Sequence, residues 1–182
     1  MSGQGSPAAE FSRQISAEQI GVQETTREIA ANAAERAKLA ERFGLLGLDR
    51  LSAVLQLTRG RGGAVRVRGR FVADVVQACV VTLEPVPAHL EQDFTATFAP
   101  RGAAEAGEVL IALEEDEPPE EIVDGRIDLG EAVVQQFAVA LDPYPRSPSA
   151  AEATGSDGGG EEQGRKGPFA ALESWQDGAK KA

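Results

Sequence analysis

Five arginines are the side chains of this sequence best placed for chemistry. Arg59, Arg61, Arg66, Arg68 and Arg70 follow one another with no acid between Asp49 and Asp74. On an extended chain Arg66, Arg68 and Arg70 have equal parity and share the face opposite Val65 and Val67. Three guanidiniums about 7 Å apart along a strand match the spacing of successive phosphates in single-stranded nucleic acid to within roughly an ångström. The sequence therefore offers a ridge that can touch RNA. It also allows a plainer reading, in which the arginines solvate the outer face of a hairpin and pair with the acidic stretch Glu114 to Glu121.

Other groups fit reaction chemistry less well. Glu114, Glu115 and Asp116 could hold metal ions as paired carboxylates do in nucleases, but they sit in a proline-rich run with no basic partner beside them. His89 is the only histidine, so no histidine-centred metal cluster can form, and its parity opposes that of Leu90 and Phe94. Cys79 is the only cysteine and lies on the apolar parity of Val75 and Val81, the place of a small core hydrophobe. Gly60, Gly62 and Gly63 lack the Lys-Ser/Thr and the helix that a phosphate loop needs. No catalytic set, cofactor or metal is expected.

The elements that must hold the arginines follow from periodicity. Glu10 to Ser16 reads as a first strand with Phe11, Arg13 and Ile15 on one side, and Ser16 with Gln19 can cap one turn. Glu24 to Ala30 can be extended or helical. Asn32 and Glu35 form a capping pair for a helix over Ala33 to Phe43, stopped by Gly44 and Gly47. From Leu51 the period becomes two, and Thr58 to Gly63 supplies a hairpin turn. The second arm runs from Val65 to Leu83, with Cys79, Val81 and Leu83 on its core parity. Such a length predicts a bend or bulge near Gly69. Glu84 to Pro87 should break the ladder before Leu90, Phe94, Ala96 and Phe98 resume alternation. Glu105 to Glu131 holds 11 acids against the lone Arg126, an acidic surface loop in which Val109 to Leu113 can add a strand. Asp128 and Glu131 open a last helix whose Leu129, Val133, Phe137 and Leu141 form one buried stripe, ended by Pro143 and Pro145.

The fold class expected is α+β: an antiparallel sheet or partial barrel with two helices and a flexible C-terminal tail. Residues 1–9 should be disordered, 10–146 the domain, 147–167 a flexible linker, and 168–182 a short helical motif. In that motif Pro168, Phe169, Leu172 and Trp175 form an amphipathic turn able to dock on its own sheet or on a partner.

The formal net charge is −11. Residues 1–100 carry 11 basic and 11 acidic side chains and residues 101–182 carry 7 and 18, so the excess lies wholly in the second half. A field of that sign repels phosphate at long range and disfavours a non-specific nucleic-acid binder. No apolar run of about 18 residues could span a bilayer, and Met1 to Glu10 lacks the layout of a signal peptide. A cytoplasmic location is expected.

Four pieces occur in order: CVVTLEP at Cys79 to Pro85 with Leu83 and Glu84, FTATF at Phe94 to Phe98, IDLGE at Ile127 to Glu131 with Asp128 and Leu129, and PFAAL at Pro168 to Leu172. In this arrangement the chain resembles the YceD family of large-subunit ribosomal RNA accumulation proteins. The resemblance implies a role in accumulation or maturation of large-subunit ribosomal RNA within large-subunit assembly, with that RNA or a pre-ribosomal particle as partner, and does not imply a mechanism. From the residues, a non-enzymatic bacterial factor that binds neither membrane nor DNA is expected. An acidic adaptor or chaperone for a basic ribosomal protein is the second reading. Many members of that family carry a C-x-x-C pair, whereas Thr82 stands in the second position here.

Overall fold

A computed structural model describes residues 9–101 and 119–150. Contacts divide the chain into two units, Met1–Ser147 and Pro148–Ala182. The second is described only over residues 148–150, which are helical. The candidate strand at Val109 to Leu113, the carboxylates Glu114, Glu115 and Asp116, nearly all of the expected linker, and Pro168, Phe169, Leu172 and Trp175 lie outside the described residues.

The first unit is an α+β fold. In chain order its elements are β1 (Gln14–Ser16), β2 (Thr25–Ala30), α1 (Ala33–Phe43), β3 (Gly47–Arg59), β4 (Val65–Ala78), β5 (Pro85–Ala99), β6 (Glu120–Glu121), β7 (Arg126–Asp128) and α2 (Leu129–Ala140). The main sheet has the order β2-β3-β4-β5-β6, antiparallel except for the β5–β6 pair, and β1 pairs with β7 separately. The main sheet is not closed, with β2 and β6 at its edges, within the expectation of an antiparallel sheet or partial barrel.

Alternation on β3, β4 and β5 sends Leu51, Leu55, Leu57, Val65, Val67, Phe71, Val75, Phe94 and Phe98 to one buried face. Both helices cover it. The Phe137 ring of α2 stands edge-on to Phe71 at 6.4 Å and to Phe43 of α1 at 5.6 Å. Helix α1 begins and ends where its residues direct. Asn32 accepts the N–H of Glu35 while Glu35 accepts that of Asn32, a complete capping box. The Leu129, Val133 and Phe137 stripe of α2 is buried as its spacing predicts. The one-turn helix at Ala17–Gln19 forms after Ser16, but the serine side chain makes no cap bond. The ambiguous stretch before α1 is strand β2, paired with β3 over its whole length.

The first strand is shorter than its alternation suggests. It covers only Gln14–Ser16, so Phe11 and Arg13 lie before it. Phe11 is buried, while the half-exposed Arg13 lies over the Phe11 ring and forms a bidentate pair with Glu35 at 2.7 and 2.9 Å. The bond from Arg13 holds the Glu35 carboxyl below its ordinary range.

Three expectations about the long second arm are corrected. No bulge occurs at Gly69; β4 pairs without interruption from Val65 to Ala78, and the irregular register lies on β3 between Leu48 and Arg50. Glycine is required at 69 for space, because a Cβ there would lie 2.5 Å from Phe94 Cε1 and 2.6 Å from Leu55 Cδ2. The arm does not run to Leu83 either. Cys79 to Glu84 is a turn closed by Cys79 N–H to Glu84 O (2.8 Å) and Leu83 N–H to Cys79 O (3.0 Å), with Val81 and Leu83 exposed. Nor do the prolines break the ladder, since β5 starts at Pro85 and stays paired with β4 throughout. Pro85 and Pro87 have equal parity and can both turn their nitrogens to the edge away from β4, where no ladder bond is lost.

Candidate nucleic-acid interface

The outer face of the sheet, opposite the helices, carries the arginine ridge. In register, Arg66 lies between Thr58 of β3 and Thr97 of β5, Arg68 between Gln56 and Thr95, and Arg70 between Val54 and Asp93. The first two rows are basic and rich in hydroxyl and amide groups. The third is neutralised. Arg70 donates from Nε to Asp93 Oδ1 at 2.6 Å and from Nη2 to Oδ2 at 2.8 Å, with Glu91 Oε1 at 3.3 Å. Hydrogen bonding to Asp93 is the main cause that raises the Arg70 pKa, and the same bond lowers that of Asp93.

The five arginines are thus not one ridge. Arg66 and Arg68 stand together on the outer face, and Arg61 sits in the exposed hairpin turn beyond them. Arg59 has the parity of the buried face and only reaches the end of the hairpin. Arg70 is held by carboxylates of the adjacent strand and not by Glu114 to Glu121, the partners weighed from sequence. In an antiparallel pair, fixing Ala78 opposite Pro85 puts Asp93 opposite Arg70, so locating the Cys79 to Glu84 turn would have revealed the pair. The same register would have found Thr95 beside Arg68, while Gln56 follows from the register of the β3–β4 hairpin.

His89 is exposed, as its parity predicts, and bonds Asp74 at 2.5 Å across the same face. The residues of Ile127 to Glu131 stand at the start of α2, and those of Cys79 to Pro85 stand beside the segment that follows it. At its start, Asp128 accepts the hydroxyl of Ser12 (2.5 Å) and the N–H groups of Arg13 (2.8 Å), Gly130 (3.0 Å) and Glu131 (3.3 Å), while Leu129 is buried.

Beyond its end, Ser147 is tied to the Cys79 to Pro85 turn. There Leu83 takes a positive φ of 60°, Glu84 accepts the Thr82 hydroxyl at 3.0 Å, and Pro85 begins β5. The Cys79 sulfur is buried and accepts N–H groups from Ser147 (3.3 Å), Thr82 (3.4 Å) and Val81 (3.5 Å), and the hydroxyls of Thr82 and Ser147 are 3.0 Å apart. The sequence placed this thiol in the core. It is there, but in polar company. Burial pushes the Cys79 thiol up, and the bonds from Thr82 and Ser147 outweigh it, bringing the group down to about 6.

That shift has a testable sign. Between pH 6 and the ordinary thiol value of 9.0 the unfolded chain holds a proton that the native thiolate lacks, so stability rises with pH across that window. The contribution is complete above the upper value and is lost as pH falls through the lower one. Thiolate absorbance of the folded protein should titrate with a midpoint near 6, while an external disulfide reagent reacts slowly because Cys79 is 0% exposed. A midpoint near the ordinary value, or a Cys79→Ala variant with the same rise in stability, would contradict it.

Among the described residues no group of three His, Cys, Asp or Glu side chains could hold a metal ion, and no helix is long and apolar enough to cross a membrane. The fold and face define an α+β protein with an antiparallel sheet, one side closed by helices and the other side polar. The chain belongs to the family of large ribosomal RNA subunit accumulation proteins, YceD, whose model matches residues 67–175. The match runs from β4 through α2 and takes in Arg68, Cys79, Asp128 and the Pro168 to Trp175 segment. The chain matches no curated protein and no solved structure. The family name ties it to accumulation of the large ribosomal RNA subunit.

Proposed function

We propose that this protein promotes accumulation of large-subunit ribosomal RNA in the bacterial cytoplasm by binding, without bond chemistry, and that the basic end of its sheet meets the RNA directly. One observation supports this above the others. Arg66 and Arg68 project at successive outward positions of β4, roughly 7 Å apart, flanked by threonines and a glutamine of the kind that accompany phosphate contacts. Net charge repels RNA at a distance, so the contact is short-ranged.

Changing Arg66 and Arg68 together to serine should lower affinity for ribosomal RNA roughly tenfold at low salt and reduce the salt slope by about two. Filter binding at several salt concentrations, with circular dichroism to show an intact fold, reads both numbers. Unchanged affinity and slope would remove this face from the account.

The adaptor reading has its own observation. Glu120, Glu121, Asp124, Asp128 and Glu131 line a cleft of about 670 Å³ that could take a basic segment of a ribosomal protein. Copurification with ribosomal particles that survives nuclease treatment would favour it over RNA contact.

A further inference from the structure

We propose that the far edge of β5 receives an extended basic peptide as an additional strand. It does not depend on RNA contact. Cys79 N–H bonds Glu84 O, so in the antiparallel register that follows, the even-numbered residues of β5 turn their N–H and C=O groups to β4 and the odd-numbered ones turn theirs to the other edge. Pro85 and Pro87, which have no N–H, hold odd positions, as this requires. At the other end of the strand β6 takes the edge at Phe98 and Ala99. Between these limits, among the described residues, no strand lies against His89, Glu91, Asp93 and Thr95. Their outward backbone groups run for about 20 Å, a template of ordinary strand length.

The side chains beside that edge select the occupant. Glu91 and Asp93 stand on the outer face, half or more exposed, and their two carboxylates share the one guanidinium of Arg70. Asp74 adds a third carboxylate one strand further in, bonded to His89. Residues opposite one another on adjacent strands lie about 4.5–5.5 Å apart at Cβ, where unlike charges attract and like charges repel. A second copy of β5 pairing antiparallel about Gln92 would set each Glu91 opposite the other copy's Asp93, and a phosphate chain would meet the same carboxylates. On the inner face the neighbours are Ala88 and Leu90, half-buried against the core. The peptide that fits carries arginine or lysine at alternate positions, with aliphatic residues between them, over about seven residues.

The test is binding of the full chain to a capped peptide of about nine residues alternating arginine and valine, followed by fluorescence anisotropy at about 150 mM salt. Two references accompany it: the peptide with glutamate in place of arginine, and the arginine peptide N-methylated throughout, which keeps the charge and removes the backbone donors. The arginine peptide should bind at least about tenfold more tightly than either. Glu91→Pro removes one outward donor and no bond to β4, so its affinity should fall at least about fivefold below that of Glu91→Gln, with circular dichroism showing an intact fold. Equal binding of the N-methylated peptide would mean attraction by charge alone and overturns the proposal, as does an arginine peptide that fails to bind or a folded proline variant that matches the glutamine one. The N-methyl comparison decides by itself if the proline variant does not fold.

Discussion

Gly130→Ala is expected to destabilise the protein by about 3 kcal/mol or more, although the same change inside an ordinary helix stabilises by nearly 1 kcal/mol. A Cβ at Gly130 would lie 2.3 Å from the carbonyl oxygen of Phe11, 2.9 Å from its carbonyl carbon and 3.1 Å from the nitrogen of Arg13. These are main-chain atoms, so no rotamer change relieves the overlap. The N-terminal segment would have to move off α2. Leu129 N–H to Arg13 O (3.1 Å) and Arg13 N–H to Asp128 Oδ1 (2.8 Å) would then be lost, with the burial of Phe11, which is 0% exposed. Burial of such a ring is worth roughly 1.5–3 kcal/mol by itself. Urea unfolding decides the matter by sign. A variant as stable as the parent, or more so, would sink the account of why glycine follows Asp128 and Leu129.

Asp128→Ala should cost about 2–4 kcal/mol, the loss of a helix cap together with hydrogen bonds to a charged acceptor. The side chain holds two elements at once. Its bonds to Gly130 and Glu131 start α2, and those from Ser12 and Arg13 fasten the N-terminal segment beside that start. Asp128→Asn keeps an acceptor and should lose less than half as much. A double-mutant cycle with Ser12→Ala should show coupling of about 0.5 kcal/mol or more, because the two side chains share a bond. RNA affinity should stay constant in the asparagine variant. A large drop in affinity at unchanged stability would make Asp128 a contact residue.

These two positions bear on what the family motifs are for. The IDLGE piece can be read as packing: Ile127 and Leu129 are buried, Asp128 caps, and Gly130 admits the backbone of Phe11 and Arg13. The CVVTLEP piece likewise builds a turn around a buried sulfur and fastens the segment that follows α2. On the reading proposed here, the function resides on the polar outer face, where side chains that do not pack can be chosen for what they bind.

Asn32 and Asp128 show how far the sequence reached. Each is a side chain within three residues of the backbone it caps, so helix starts could be read without tertiary knowledge. The parity of β3, β4 and β5 was legible for the same reason, since alternation is set by neighbouring residues on one chain. What the sequence by itself determined was therefore the α+β class, both helices, the buried face and the outward direction of Arg66, Arg68 and Arg70.

Only the tertiary structure decided which of those arginines is held by carboxylates of the adjacent strand. That depends on the strand opposite, and the pairing of Arg70 with Asp93 follows from a turn whose ends periodicity had run straight through. Gly69 teaches the same lesson. Its bare Cα accommodates a ring from another strand, where chain-local reasoning read a bend. Registers and close approaches arise between segments distant in sequence, and a slip of one residue exchanges one set of neighbours for another. For that reason the pattern of alternation was written in the chain, and the identity of each residue's cross-strand partner was not.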